Sequence, residues 1–208
     1  ECTTGLVSGV ALMLVSVVSM GFAVAGMTSG RGRPHPFDAR AAGYARGEAC
    51  GGVALSRGMD DGEGLVCLLG SAVRQDGRSA SLTAPNGQAQ QGLLMAALAD
   101  AGTSAEALML NEAHGTGTAL GDPIESGSLV SAVLDGREKA LAVGGVKANI
   151  GHAEPAAGMT GLLKMLVGMC GGGAAPNAQL RALNPHVGDT LCDVESLLSV
   201  QEGMELTE

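Results

Sequence analysis

The chain has 208 residues, 46% of them hydrophobic and 16% charged, with a formal charge of −9, a composition that excludes intrinsic disorder. Its 12 Lys and Arg are scattered, which excludes a nucleic-acid binder built on clustered phosphate contacts. At this length a single domain buries roughly 70% of the surface its unfolded chain exposes, and with one Tyr and two Phe as the only aromatics, Leu, Val, Met and Ala must fill the core.

The opening residues do not include an initiating Met and read as the middle of a longer sequence. Residues 5–26 carry no charge, a run long enough to span a bilayer. The serines and glycines inside it favour a buried strand, 5–14, followed by a short helix, so no membrane span is expected. No basic segment precedes the run, which argues against a signal peptide. Further strands are expected at 50–57, 65–74, 107–113 and 141–146. Apolar residues recur at helical spacing over 87–101 and 156–170. In "GDPIE", Asp122 is a candidate cap, Pro123 suits the first helical position and Glu125 sits three past the cap, which predicts a helix over about 123–134. The tail after His186 lacks a strong pattern. Strands alternating with helices indicate an α/β layer fold.

Five cysteines, at 2, 50, 67, 170 and 192, include no Cys-x-x-Cys pair. Reduced thiols in a cytoplasmic setting are expected. Cys67, Cys170 and Cys192 are expected to be buried or incidental.

Two of the four histidines have similar settings. His114 follows a predicted strand and opens the loop "HGTGTALG"; His152 follows a predicted strand and precedes a helix expected to begin near Pro155. The positive end of a helix dipole disfavours imidazolium, and a neutral ring donates one N–H to a developing oxyanion. Lys147 and Glu125 are placed to pair with each other and fix both loops if their strands are neighbours. A zinc site would need a third ligand and closer spacing, so no metal is expected. Neither a P-loop nor G-x-G-x-x-G is present.

Together "EAHGTGTALGDPIE" (112–125) and "GGVKANIGHAEPAAG" (144–158) resemble the ketosynthase domain of type I polyketide synthases, thiolase-like condensing enzymes. "RPHPFDARAAGYARGEACGGVAL" (33–55) and "GSAVRQDGRSASLTAPNGQAQQ" (70–91) are similar to further family runs, in the family's order, although Arg74 stands where the family has Asn. The resemblance covers about 5–186. It implies an incomplete thiolase-like α/β fold with helices packed on mixed sheets: the end of an N-terminal subdomain (1–58), a C-terminal subdomain (65–186) and a tail (187–208).

The activity it implies is that of an acyltransferase, joining an acyl thioester to a malonyl-type unit on acyl carrier protein by decarboxylative Claisen condensation in polyketide or fatty acid synthesis. By motif, His114 and His152 are the catalytic histidines, Lys147 and Glu125 their supporting pair, and Thr116 and Thr118 contact the carrier's phosphopantetheine arm. No cofactor is implied beyond that arm. The partners implied are acyl carrier protein, the acyl and malonyl thioesters, the remainder of the ketosynthase and neighbouring synthase domains. The family forms homodimers; for this stretch alone the resemblance leaves that open.

The family's nucleophile is the cysteine of a Thr-Ala-Cys-Ser-Ser run, which these 208 residues do not contain. Cys2 and Cys50 match other family positions, and the family's glycine-rich Gly-Phe-Gly-Gly-Thr-Asn-Ala-His loop does not occur either. The chain alone is therefore expected to form no acyl-enzyme, and its apolar faces are expected to make it poorly soluble. A non-catalytic scaffold that pairs with a complete ketosynthase, and a malonyl-carrier decarboxylase, are the rival readings.

Overall fold

A computed structural model describes residues 3–57, 66–81 and 84–191, together with the backbone of 196–198 and 204–205. In chain order the elements are β1 (Thr4–Ala11), α1 (Ser16–Val24), β2 (Ala49–Ser56), α2 (Gly87–Ala101), β3 (Leu110–Glu112), α3 (Gly121–Leu129), β4 (Leu141–Gly144), α4 (Lys147–Ile150), α5 (Ala157–Gly171), β5 (Gly173–Ala174), α6 (Pro185–Leu191), β6 (Ser196–Leu198) and β7 (Met204–Glu205).

The run Leu-Ala-Val-Gly of β4 is apolar because the strand is buried along its whole length. It is the middle of a parallel sheet ordered β3-β4-β6, and parallel strands covered on both faces read as continuous hydrophobic runs. Glu112 pairs with Gly144 in the β3–β4 register. The segments that leave the two strands, 113–118 and 145–147, therefore start side by side at the sheet's carboxyl edge, where α/β folds place ligands.

The main core packs α3 and its wider π-turn over Val130–Leu134 onto this sheet: Leu129, Val133 and Leu134 meet Leu141 and Val143, joined by Phe37, Leu180 and Val187. Burying each such leucine contributes about 1.5–3 kcal/mol. α2 begins where the Asn86 side chain accepts the Ala89 N–H at 3.2 Å, and it ends at Gly102, whose φ of 61° lets its N–H turn back to Ala99.

β1 and β2 form a separate antiparallel pair with Thr4 opposite Ser56 and Ala11 opposite Ala49. Ala11 packs with Ala153 and Ala156, so this pair is the floor under the His152 loop. A buried carboxylate ties distant segments together. Asp38 accepts N–H bonds from Arg40 (2.8 Å), Arg181 (2.7 Å) and Ala182 (3.2 Å), and pairs with the Arg40 guanidinium at 2.6 Å. Burial alone would raise this carboxyl, but the Arg40 bond and the three N–H donors outweigh it and hold Asp38 well below the usual carboxylate range.

Several expectations are corrected. β1 and α1 divide the uncharged run as predicted, yet they are not buried: Leu6, Leu14 and Val24 are 79%, 82% and 90% exposed. Residues 66–74 form no strand, and among the described residues no strand pairs with them; Val73 is 92% exposed. Residue 65 lies outside the described residues. The strands predicted at 107–113 and 141–146 shorten to Leu110–Glu112 and Leu141–Gly144, as the chain turns helical at Ala105–Ala107 and again at Lys147. The expected helix at 123–134 starts at Gly121 and has no side-chain cap; Asp122 lies inside its first turn, facing other partners. Beyond His186, α6 supplies Val187 to the core and β6 pairs with β4, although most of this tail lies outside the described residues. Among the described residues no helix is long and apolar enough to cross a membrane.

Candidate active site

Each turn of the 113–118 loop is pinned by a carboxylate from α3. The two oxygens of Glu125 accept the N–H groups of His114 (2.5 Å) and Gly115 (2.8 Å). Asp122, fully buried, accepts those of Gly117 (3.1 Å) and Phe37 (2.8 Å). Gly117 has φ 74°, and a Cβ there would lie 2.6 Å from the His35 nitrogen, so the loop and the 35–38 segment can nest only at a glycine. The Thr118 hydroxyl accepts the Gly121 N–H at 3.1 Å and lies 3.4 Å from the Thr116 hydroxyl.

From the start of α4, just past the neighbouring strand β4, the Lys147 ammonium donates to the His114 carbonyl. Lys147 and Glu125 do not pair directly as expected. They hold opposite sides of one residue's backbone, the carboxylate on the N–H and the ammonium on the C=O, and so fix His114 without neutralising each other by contact.

His152 follows α4 rather than a strand. Its N–H donates to Ala45 (2.7 Å) and its carbonyl accepts from Gly47 (2.9 Å), so the segment 44–47 runs beside it. The Glu154 N–H donates to His152 Nδ1 at 3.0 Å. A neutral ring with Nδ1 accepting carries its proton on Nε2. Glu154 adopts φ 43°, an uncommon conformation for a residue with a side chain. Its carboxylate holds Arg46 by two bonds, 2.8 and 3.0 Å, while Arg46 also donates to Ser19 (2.7 Å) and lies 5.5 Å from the centre of the Phe22 ring. The His114 and His152 rings meet edge to face with centroids 5.5 Å apart, and Tyr44 stands 5.2 Å from His152 on its other side.

Burial, and then the Lys147 charge, push the His114 imidazole down to about 4, with His152 adding a smaller effect. The same two leading causes lower His152. Both rings are therefore neutral donors near neutral pH, through burial and a nearby ammonium, where the sequence pointed to a helix terminus. Burial lowers Lys147 too, against the pull of the Glu125, Glu112 and Asp122 carboxylates, and raises Glu125. Asp122 is pushed up to about 6 by burial, despite its N–H donors.

An open cavity of about 870 Å³ has His114, His152, Thr116, Thr118, Tyr44 and Glu125 among its walls. The six site residues picked from the sequence thus converge: five line the cavity and Lys147 sits behind it. Cys50, Cys67 and Cys170 are unbridged and exposed, and none lines the cavity, so of the two alternatives for Cys67 and Cys170 burial does not hold; Cys2 and Cys192 lie outside the described residues. Among the described residues no group of three or more His, Cys, Asp or Glu is placed to hold a metal ion. Sequence reasoning missed the pairs Arg46–Glu154 and Glu112–Lys164, the latter at 2.6 Å. The signal available was a charged residue two positions from each histidine, Glu112 before His114 and Glu154 after His152.

Residues 65–181 match the family described as beta-ketoacyl synthase, C-terminal domain, and residues 1–61 match its N-terminal domain. Among curated proteins the chain is 42% identical over 193 residues to a phenolphthiocerol/phthiocerol polyketide synthase of Mycobacterium tuberculosis, covering 90% of this chain and 10% of that protein. It is 39% identical over 191 residues to an erythronolide synthase of Saccharopolyspora erythraea, covering 90% and 5%. Among solved structures, the oxazolomycin ketosynthase domain of Streptomyces albus JA3453 is 33% identical with a TM-score of 0.92, over 99% of this chain and 36% of that one. The ketosynthase from module 6 of the bacillaene synthase of Bacillus subtilis 168 is 31% identical with a TM-score of 0.91, over 99% and 38%. The chain thus spans about a tenth or less of these curated relatives.

Proposed function

Because the chain belongs to the beta-ketoacyl synthase family, as a ketosynthase of the type I polyketide synthase kind with a thiolase-like fold, we propose that His114 and His152 carry out the decarboxylative half of a Claisen condensation on a malonyl unit borne by acyl carrier protein. The observation that carries this is the pair of neutral imidazoles, centroids 5.5 Å apart on one cavity wall, with the His152 proton on Nε2.

In this reaction the bond between the malonyl carboxylate and Cα breaks, carbon dioxide leaves, and the electron pair passes into an enolate whose negative oxygen takes hydrogen bonds from the two rings. The enolate carbon then attacks an acyl thioester, and the displaced sulfur leaves as thiolate. Removing one preorganised donor to such an oxyanion costs on the order of 10²–10³ in rate. Lys147 and Glu125 position His114. The Thr116 and Thr118 hydroxyls, on the same wall, suit the amide groups of a phosphopantetheine arm, which enters as part of the carrier substrate.

The acyl group itself is not taken by these residues: no Thr-Ala-Cys-Ser-Ser run is present, and the described thiols lie away from the cavity. Intact His114, His152, Lys147 and Glu125 favour a decarboxylating site over a scaffold, which needs none of them. The test is release of labelled carbon dioxide from malonyl-acyl carrier protein, with a labelled acyl thioester supplied in parallel. We expect carbon dioxide release, its loss in His114→Ala and His152→Ala, and no label on protein after denaturation. Release unchanged in both variants rejects the histidines' role, and covalent label on any cysteine rejects the absence of a nucleophile.

A further inference from the structure

Two residues away from His114, on the strand that delivers it, Glu112 is a carboxylate inside the fold, its side chain 4% exposed. One oxygen accepts the Val146 N–H at 2.5 Å and the other pairs with the Lys164 ammonium of α5 at 2.6 Å. Val146 immediately precedes Lys147. Glu112 thus fixes the Gly145–Val146 peptide, one residue ahead of Lys147, whose side chain reaches the His114 carbonyl.

The surroundings are shaped for this pair. A Cβ on Gly144 would lie only 2.9 Å from the Glu112 carboxylate and closer still to the Lys164 ammonium, and one on Gly161 would sit 3.3 Å from the Glu112 Cγ. A sheet–helix contact that small side chains would otherwise fill is left open for two charges. Burying an ion pair gives little net stability on its own, so packing gives no account of its presence here.

We propose that the Glu112–Lys164 pair is a positioning device for the His114 site: Glu112 aims Lys147 at His114, and Lys164 holds Glu112 in place. This rests on the decarboxylation reading for its effect on rate, but not for its effect on Lys147. The charges that act on Lys147 come from Glu125 and Asp122 of α3 and from Glu112 of β3, with His114 receiving its ammonium. Removing the Glu112 charge disfavours the Lys147 ammonium, and removing Lys164, which is not among those charges, releases Glu112 from its position beside it.

The experiment follows the titration of Lys147 Nζ by NMR in the wild type, Glu112→Gln and Lys164→Met, with carbon dioxide release measured on the same samples. The expected result is a lower Lys147 midpoint in Glu112→Gln and a smaller lowering in Lys164→Met. The rate constant for release should fall roughly 10- to 100-fold in Glu112→Gln, the cost of a small misplacement. KM should change little, because both Glu112 oxygens are already taken, by the Val146 N–H and the Lys164 ammonium. Midpoints that rise or stay put overturn the proposal, as does a Glu112→Gln rate equal to wild type. If Glu112→Gln does not fold, a Lys164→Met midpoint at or above the wild-type value overturns it and a lowered one supports it. A wild type that releases no carbon dioxide rejects the functional reading alone, and the midpoints then decide this one.

Discussion

His114 is held by its backbone and tuned through its ring. Lys147 bonds its carbonyl and, through space, disfavours its imidazolium. Substituting Lys147→Met removes that nearby positive charge, so the His114 midpoint rises from about 4 toward its ordinary 6.5. The acid limb of carbon dioxide release should therefore move to higher pH, with activity at pH 5 lost more severely than activity at pH 7; a limb that does not move would show that Lys147 serves geometry alone. The sign for stability is the same. A histidine whose midpoint is depressed on folding contributes stability above its unfolded value of 6.5, and loses it as pH falls through the folded one. Asp122 runs the other way, since its raised carboxyl favours folding below its ordinary 3.8 and that benefit is lost as pH rises through about 6.

At the scale of elements, the helix α2 is an autonomous piece of sequence logic. Asn86 caps its start and Gly102 its end, so Asn86→Ala should destabilise the protein by about 1 kcal/mol in denaturant titration, with carbon dioxide release unchanged in native buffer. Both bounds of α2 were readable because local chemistry sets them. The parallel strands were readable only in part: β4 is marked by its apolar run, but its length is set by where β3 and β6 offer partners. Residues 66–74 carry as apolar a run and form no strand, and none among the described residues pairs with them. At the site, His114, His152, Lys147 and Glu125 stood out by type and spacing. The clamp geometry did not, since Asp122 resembles a cap in sequence and spends its oxygens on Gly117 and Phe37, the latter 85 positions away. Glu112–Lys164 and Arg46–Glu154 join residues 52 and 108 positions apart, distances at which no periodicity signals a partner.

The whole molecule presents one apolar surface out of keeping with its charge of −9. Along β1, α1 and the turn between them, Leu6, Val10, Leu12, Leu14, Val17 and Met20 are each about half exposed or more. Contiguous apolar area of this kind drives association. The 208-residue chain should elute from size exclusion as more than a monomer, and Leu6→Lys with Leu14→Lys should restore monomer elution; a monomeric wild type would contradict this. The Asp38 knot has a consequence in time. Its carboxylate waits for the N–H groups of Arg181 and Ala182, 143 and 144 positions later, and non-local closures of that span form slowly. During synthesis the segment 35–38, against which Gly117 nests, can bond Asp122 through the Phe37 N–H once α3 has emerged, but its second tie waits for residue 182. The site's own clamps, from Asp122, Glu125 and Lys147, can therefore close first, and the Asp38 tie to Arg181 and Ala182 locks the segment beneath them only afterwards.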